Sequence, residues 1–261
     1  MYLTFDTETT GLPKNYSAPI SETDNWPRMV QIAWQINDKS GNLISSESHI
    51  IKPKGYTIPF NAEKIHGIST QKAIDKGKEI KYVLEKFNNE LKKNKYIIGH
   101  NINFDVNILG SEFYRSKIKT SLLEKESIDT GLISKEFCQL EGGLGGKLKM
   151  PKLIELYNIL FESDFSDAHD ARADVNATAK CFFELMKRKV FETEESKLTD
   201  IKYEGVEIKE SNFKKNNDDL NNEIENKKEI NIVEPFIHLH NHSHYSILQA
   251  TSSVTDIIDK S

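Results

Sequence analysis

Near its start the chain carries an apolar run that ends in two carboxylates. Tyr2, Leu3 and Phe5 read as a buried strand, and Asp6 and Glu8 stand two apart within Phe5-Asp6-Thr7-Glu8-Thr9-Thr10-Gly11. On a strand, residues i and i+2 share a face. Two carboxylates on one face repel and are costly to bury unless cations hold them, and a pair of Mg²⁺ or Mn²⁺ ions about 3.5 to 4 Å apart does this. Taken alone the motif is also compatible with a plain polar strand end, so the rest of the chain has to decide.

Two further motifs do so. Ile97-Ile98-Gly99-His100-Asn101-Ile102-Asn103-Phe104-Asp105 runs from an apolar strand into a turn. Asn103 is the expected N-cap of a helix continuing through Phe113, which puts Asp105 in the first helical turn. Ala168-His169-Asp170-Ala171-Arg172-Ala173-Asp174 leads into Val175, Thr178, Ala179, Phe182, Leu185 and Met186 at helical spacing. With Asp170 as cap, Asp174 lies one turn in and His169 just before the helix. A first-turn carboxylate or an isolated histidine is commonly structural, but three such motifs in one chain point to a metal-dependent nuclease.

These residues resemble the DEDDh exonuclease family, which includes the proofreading epsilon subunit of bacterial replicative DNA polymerase. Asp6 and Glu8 match its first motif, Asp105 its second, and His169 and Asp174 its third, in the form His-x-Ala-x-x-Asp. The sister group carries a Tyr four residues before the last Asp, where this chain has Asp170, so the histidine subtype is implied. The resemblance covers roughly residues 1 to 187 and includes His66-Gly67-Ile68, a substrate-contacting segment in the family. Asn61 stands where the epsilon subunit has a Glu, and Asn101 and Phe104 are carried over with it as substrate contacts. The implied fold is α/β, an RNase H-like mixed five-stranded sheet flanked by helices.

Phosphodiester hydrolysis needs an activated water and stabilised charge on the phosphoryl and leaving 3′ oxygens. Asp6 is assigned as the ligand bridging two Mg²⁺ or Mn²⁺ ions, with Glu8, Asp105 and Asp174 completing the set. His169, with an unperturbed pKa of about 6.5, is the base for the water. Thr9, Thr10 and Leu12 follow the first motif closely enough to meet the terminal nucleotide. The expected activity is 3′–5′ hydrolysis of DNA from a free 3′ end, releasing nucleoside monophosphates. RNA trimming and a non-catalytic module that tethers a polymerase are the alternatives.

Other segments set the organisation. Val30 to Ile36 and Leu43 to Ile51 read as a hairpin around Asp38 to Asn42, and Pro13 to Pro27 as a surface insertion overhanging the site. Tyr82 to Leu91 and Pro151 to Phe161 read as amphipathic helices, the latter with Pro151 near its start, and Ile128 to Thr130 as a short strand. Gly142-Gly143-Leu144-Gly145-Gly146 lacks a following Gly-Lys-Ser/Thr and reads as a mobile connection, not a phosphate loop.

The net charge of −5 is unevenly spread. Residues 1–190 hold 27 Lys and Arg against 25 Asp and Glu, whereas residues 191–235 hold 7 against 13. The expected domains are an exonuclease body over 1–190, an acidic polar linker over 191–233 and a third segment over 234–261. That segment holds His238, His240, His242 and His244 in alternation. It resembles the opening strand of the PHP domain of the replicative polymerase alpha subunit, too short here to complete a metal site. The implied partner is that polymerase, fused or associated. Cys138 and Cys181 are expected to be reduced, and with no apolar stretch of membrane-spanning length or leader, a cytoplasmic protein is expected.

Overall fold

A computed structural model describes residues 1–163, 165 and 170–203. Strand β1 (Tyr2–Thr9) lies at the middle of a five-stranded sheet of order β3-β2-β1-β4-β5. Strands β2 (Met29–Asn37) and β3 (Leu43–Ile50) continue from it antiparallel, as the hairpin reading expects. Strands β4 (Tyr96–Gly99) and β5 (Glu126–Asp129) run parallel to β1 on its other side. Parallel neighbours need long crossovers. Helices α1 (Phe60–His66), α2 (Thr70–Lys76) and α3 (Ile80–Lys93) fill the first, and α4 (Ile102–Ser116) the second. Helices α5 (Thr130–Cys138), α6 (Leu153–Phe161) and α7 (Ala171–Lys187) complete the body.

Alternation along β1 sorts its side chains into two cores. Leu3 and Phe5 pack with Val83, Leu84 and Phe87 of α3 and Ile108, Leu109 and Phe113 of α4. Tyr2 packs on the opposite face with Phe182 and Phe183 of α7. The alanines of α7 let it sit close to the sheet, where Ala171 and Val175 meet Ala33. Asp6 and Glu8 share the parity of Tyr2, so the strand turns them toward α7.

Two local expectations change, and a third is sharpened. Helix α4 begins two residues earlier than expected, with Asn101 rather than Asn103 at its cap. Asn101 adopts a left-handed conformation (φ 62°), which Asn tolerates better than most side chains, and its N–H is held by Asp129 Oδ1 at 3.0 Å. Thr130 belongs to α5, not to a strand, because Asp129 caps that helix by accepting from Gly131 and Leu132 N–H. The insertion over residues 13–27 keeps its surface position but is pinned to the body, since Trp26 and Ala18 are buried in the core cluster that holds α4 residues. Helices α1, α2 and α5 were not expected; they are short and carry no long apolar period.

The body also continues past residue 190. Phe191, Ile201 and Tyr203 pack on the α7 core, and Tyr203 stacks on Phe183 at 4.8 Å. Thr193 shares a 2.5 Å hydrogen bond with Tyr2 Oη, and Lys202 N–H bonds the Ser40 carbonyl at 2.6 Å. Gly41 in that turn has φ +96°, and a Cβ there would lie 2.8 Å from Tyr203 Cβ, so the close approach needs glycine. Composition alone marked 191–233 as linker because these few anchors are scattered among charges. The segment 234–261, with His238, His240, His242 and His244, lies outside the described residues. A chain ended at residue 190 is expected to unfold at lower denaturant than one ended at 203. Loss of a buried aromatic alone costs about 3 kcal/mol, and equal midpoints for the two lengths would refute the anchoring role of the segment.

Candidate active site

The candidate carboxylates converge from three elements. Asp6 and Glu8 come from the end of β1 and Asp174 from the first turn of α7. One oxygen from each lies within 4.8 Å of the others, and all three residues are half-buried. Helix α7 takes this position because Asp170 caps it, accepting from Arg172 N–H at 2.9 Å, as its spacing predicts. Asp105 reaches the site from the first turn of α4 and is buried. It accepts from Thr7 N–H at 3.0 Å and Thr7 Oγ1 at 2.6 Å. Thr7, between the two acidic residues of the first motif, is a supporting position that the sequence does not single out. Its signal was the same alternation, which turns the residue between Asp6 and Glu8 to the α4 side.

The electrostatics are those of carboxylates crowded together and largely withdrawn from water. Burial pushes Asp6 well above the ordinary carboxylate range, and Asp105, Asp174, Glu8 and Asp170 add to it. Burial raises Glu8 to about 8, assisted by Asp174, Asp105 and Asp170. Burial also raises Asp105 to about 7, against the opposing Thr7 hydrogen bonds. Such a set holds protons unless a cation replaces them. Oxygen-only donors of this kind suit Mg²⁺ or Mn²⁺, so the donor chemistry fits a divalent cation held by Asp6, Glu8 and Asp174 with Asp105 beside them.

A pH dependence follows. With folded-state pKa raised, the metal-free cluster stabilises the fold fully below the ordinary values of 3.8 and 4.5, and this stabilisation is lost as pH rises through about 7 for Asp105 and about 8 for Glu8. In chelator, the denaturant midpoint should therefore fall from about pH 5 to pH 8, Mg²⁺ should restore it, and Glu8→Gln should flatten the fall. A midpoint that rises over that range in chelator would contradict the crowded-carboxylate account.

The other expected site residues divide. Thr9 and Thr10 lie beside the cluster, but their hydroxyls are engaged: Thr9 Oγ1 donates to the Gly11 carbonyl at 2.7 Å, and Thr10 Oγ1 accepts from Arg28 N–H at 2.9 Å. Leu12 is 75% exposed and free to meet an apolar surface. His66 is buried; desolvation lowers its pKa, while the neighbouring Thr9 carbonyl opposes this, which puts the ring at the β1 end of the site. Asn61 is exposed on α1. Asn101 serves chiefly to start α4, and Phe104 packs against the core below it. His169 lies outside the described residues. Cys138 and Cys181 are free, and among the described residues no helix is long and apolar enough to cross a membrane.

A family model described as Exonuclease (RNase_T) matches residues 3–182, more than half of the chain. Among solved structures, E. coli exonuclease I in complex with a dT13 oligonucleotide superposes with a TM-score of 0.57 at 24% identity, covering 71% of this chain and 40% of that one. A second exonuclease I structure, described as suggesting how processivity is achieved, gives 0.57 at 24% identity over 72% and 40%. A product-bound exonuclease I gives 0.56 at 21% identity over 72% and 44%. The likeness is one of fold, the RNase H-like exonuclease sheet, and the chain spans only about 40% of the length of the first of these proteins. No curated protein matches the chain.

Proposed function

The chain belongs to the exonuclease family, and from that premise we propose that it is a metal-dependent 3′–5′ exonuclease that releases nucleoside monophosphates from DNA 3′ ends, proofreading for a replicative polymerase. The observation that supports this reading is the cluster of Asp6, Glu8 and Asp174 with Asp105 alongside. Paired divalent ions, when bound there, supply charge neutralisation at the phosphoryl group, an acidified water and a stabilised leaving 3′ oxygen. Asp6, Glu8 and Asp174, with Asp105 beside them, would be the residues that hold such ions.

The chain's own groups would do the rest. Thr7 fixes the Asp105 carboxylate through two hydrogen bonds. His169, immediately before the cap of α7 in sequence, would take the proton of the attacking water. The backbone of Thr9 and Thr10 and the side chains of Leu12 and His66 would hold the terminal nucleotide, with Asn61, Asn101 and Phe104 as outer contacts. DNA is favoured because the exonuclease I relatives in fold were solved with deoxyribo-oligonucleotides. The proofreading role rests on the resemblance of residues 234–261 to the opening of a polymerase PHP domain, which also implies fusion to or association with that polymerase in the cytoplasm.

Digestion of matched 3′-labelled DNA and RNA strands, each with paired and mispaired ends, tests the proposal. Mg²⁺-dependent release of mononucleotides from DNA, faster at mispaired ends, is the expected result. Preferential digestion of RNA would replace the substrate, and a wild-type chain inert on every strand would end the nuclease reading.

A further inference from the structure

Glu112, on α4, is 1% exposed. A carboxylate so placed must be fully paired. It accepts from Arg28 Nε at 2.8 Å and Nη2 at 3.4 Å, from Arg115 Nη1 at 3.0 Å and from the Met29 N–H at 3.2 Å. These donors come from the start of β2 and the end of α4, so one buried anion ties them together.

The same donors lead to the substrate side. Arg28 N–H bonds Thr10 Oγ1 at 2.9 Å, and the Thr10 N–H returns to the Arg28 carbonyl at 2.9 Å. The Arg28 guanidinium lies 4.4 Å over the Tyr56 ring, and Tyr56 Oη donates to the Met29 carbonyl at 3.1 Å. Arg115 Nη2 donates to the carbonyls of Thr23 and Trp26, anchoring the insertion that follows Leu12. Ile20 closes over Gly110, where a Cβ would come within 3.0 Å of its Cγ2. Outward, the insertion leaves Leu12 and Tyr16 at 75% and 57% exposure.

Helix geometry joins this network to the carboxylates. Asp105 and Glu112 are seven residues apart on α4, close to two full turns, so they share a face of one rigid rod. We propose that Glu112 is a positioning residue that locks the wall formed by Thr9 to Trp26 onto the helix carrying Asp105, and so sets the grip on the terminal nucleoside. It touches no substrate atom and acts through Arg28. The proposal rests on the nuclease reading above and adds to it a residue that tunes nucleoside binding separately from phosphoryl chemistry.

Two synthetic esters separate these roles. Bis(p-nitrophenyl) phosphate has no nucleoside and reports on the carboxylate centre alone, whereas thymidine 5′-(p-nitrophenyl phosphate) also occupies the nucleoside wall. Glu112→Gln keeps the size and removes the charge. Loss of charge-assisted hydrogen bonds at this site should raise KM for the thymidine ester about tenfold, with kcat and bis-ester turnover within about twofold. Gly110→Ala displaces Ile20 without touching any charge, and Ala favours helix over Gly, so this variant should fold even if Glu112→Gln does not. It should raise the thymidine-ester KM in the same direction by a smaller factor. Equal losses on both esters, or an unshifted KM in the folded variants, would overturn the proposal while leaving the nuclease reading standing. A wild-type chain inactive on both esters and on DNA would remove that reading itself.

Discussion

Asp6→Ala should abolish measurable nucleotide release, a fall of at least about 10³-fold, because loss of the metal ligand proposed here forfeits several kcal/mol of transition-state charge stabilisation. Burial, and then Asp105, Asp174, Glu8 and Asp170, all raise the pKa of Asp6. Removing it therefore relieves repulsion in the metal-free protein even as it destroys the ligand set. The variant should unfold at an equal or higher denaturant midpoint than wild type in chelator, yet gain less stability from Mg²⁺. That pairing separates a ligand from a structural residue: a structural aspartate would lose stability and activity together. The check is a 3′-labelled strand digested in Mg²⁺ alongside denaturant titrations with and without the ion, and wild-type cleavage by the variant would sink the assignment.

Much of this was legible in the chain because the informative patterns are short-range. The i, i+2 spacing of Asp6 and Glu8 on a strand fixes their common face, and Asp170 four residues before Asp174 fixes a cap and a first-turn carboxylate. Both placements hold in the structure. The hairpin of β2 and β3 and the sheet class were likewise readable from strand periodicity and from the family resemblance.

What escaped depends on groups far apart in sequence. The cap at Asn101 is decided by Asp129, 28 residues away, whose side chain accepts its N–H; no local propensity distinguishes Asn101 from Asn103 without that partner. The insertion over residues 13–27 is the surface segment its composition indicates, but its anchoring was not legible: Arg28 and Arg115 converge on Glu112, 84 and 3 residues away. The packing of residues 191–203 rests on three apolar anchors dispersed among charged neighbours, too sparse to give a period. Thr7 illustrates the same limit in a single residue, since the alternation tells which side it faces but not that Asp105 waits there.

His169→Ala should lower turnover by about 10² to 10⁴, the usual scale for loss of a general base. The expectation rests on sequence position: His169 immediately precedes Asp170, whose cap sets the start of α7, and Asp174 one turn on is part of the carboxylate cluster. A base must abstract a proton without binding the cations, so Mg²⁺ should stabilise the variant against denaturant as much as it does wild type. KM for a single-stranded substrate should change little, because the nucleoside wall proposed above, Thr9 to Trp26, does not include His169. The sign of the pH effect also follows. Wild-type kcat should fall toward acid pH as the base takes up its proton, and the variant should lose that limb of the profile. Residual activity in the variant should instead rise with hydroxide concentration or on adding imidazole, which substitutes for the missing base. If turnover, pH profile and imidazole response all match wild type, His169 is structural, and the water's proton must leave by another group.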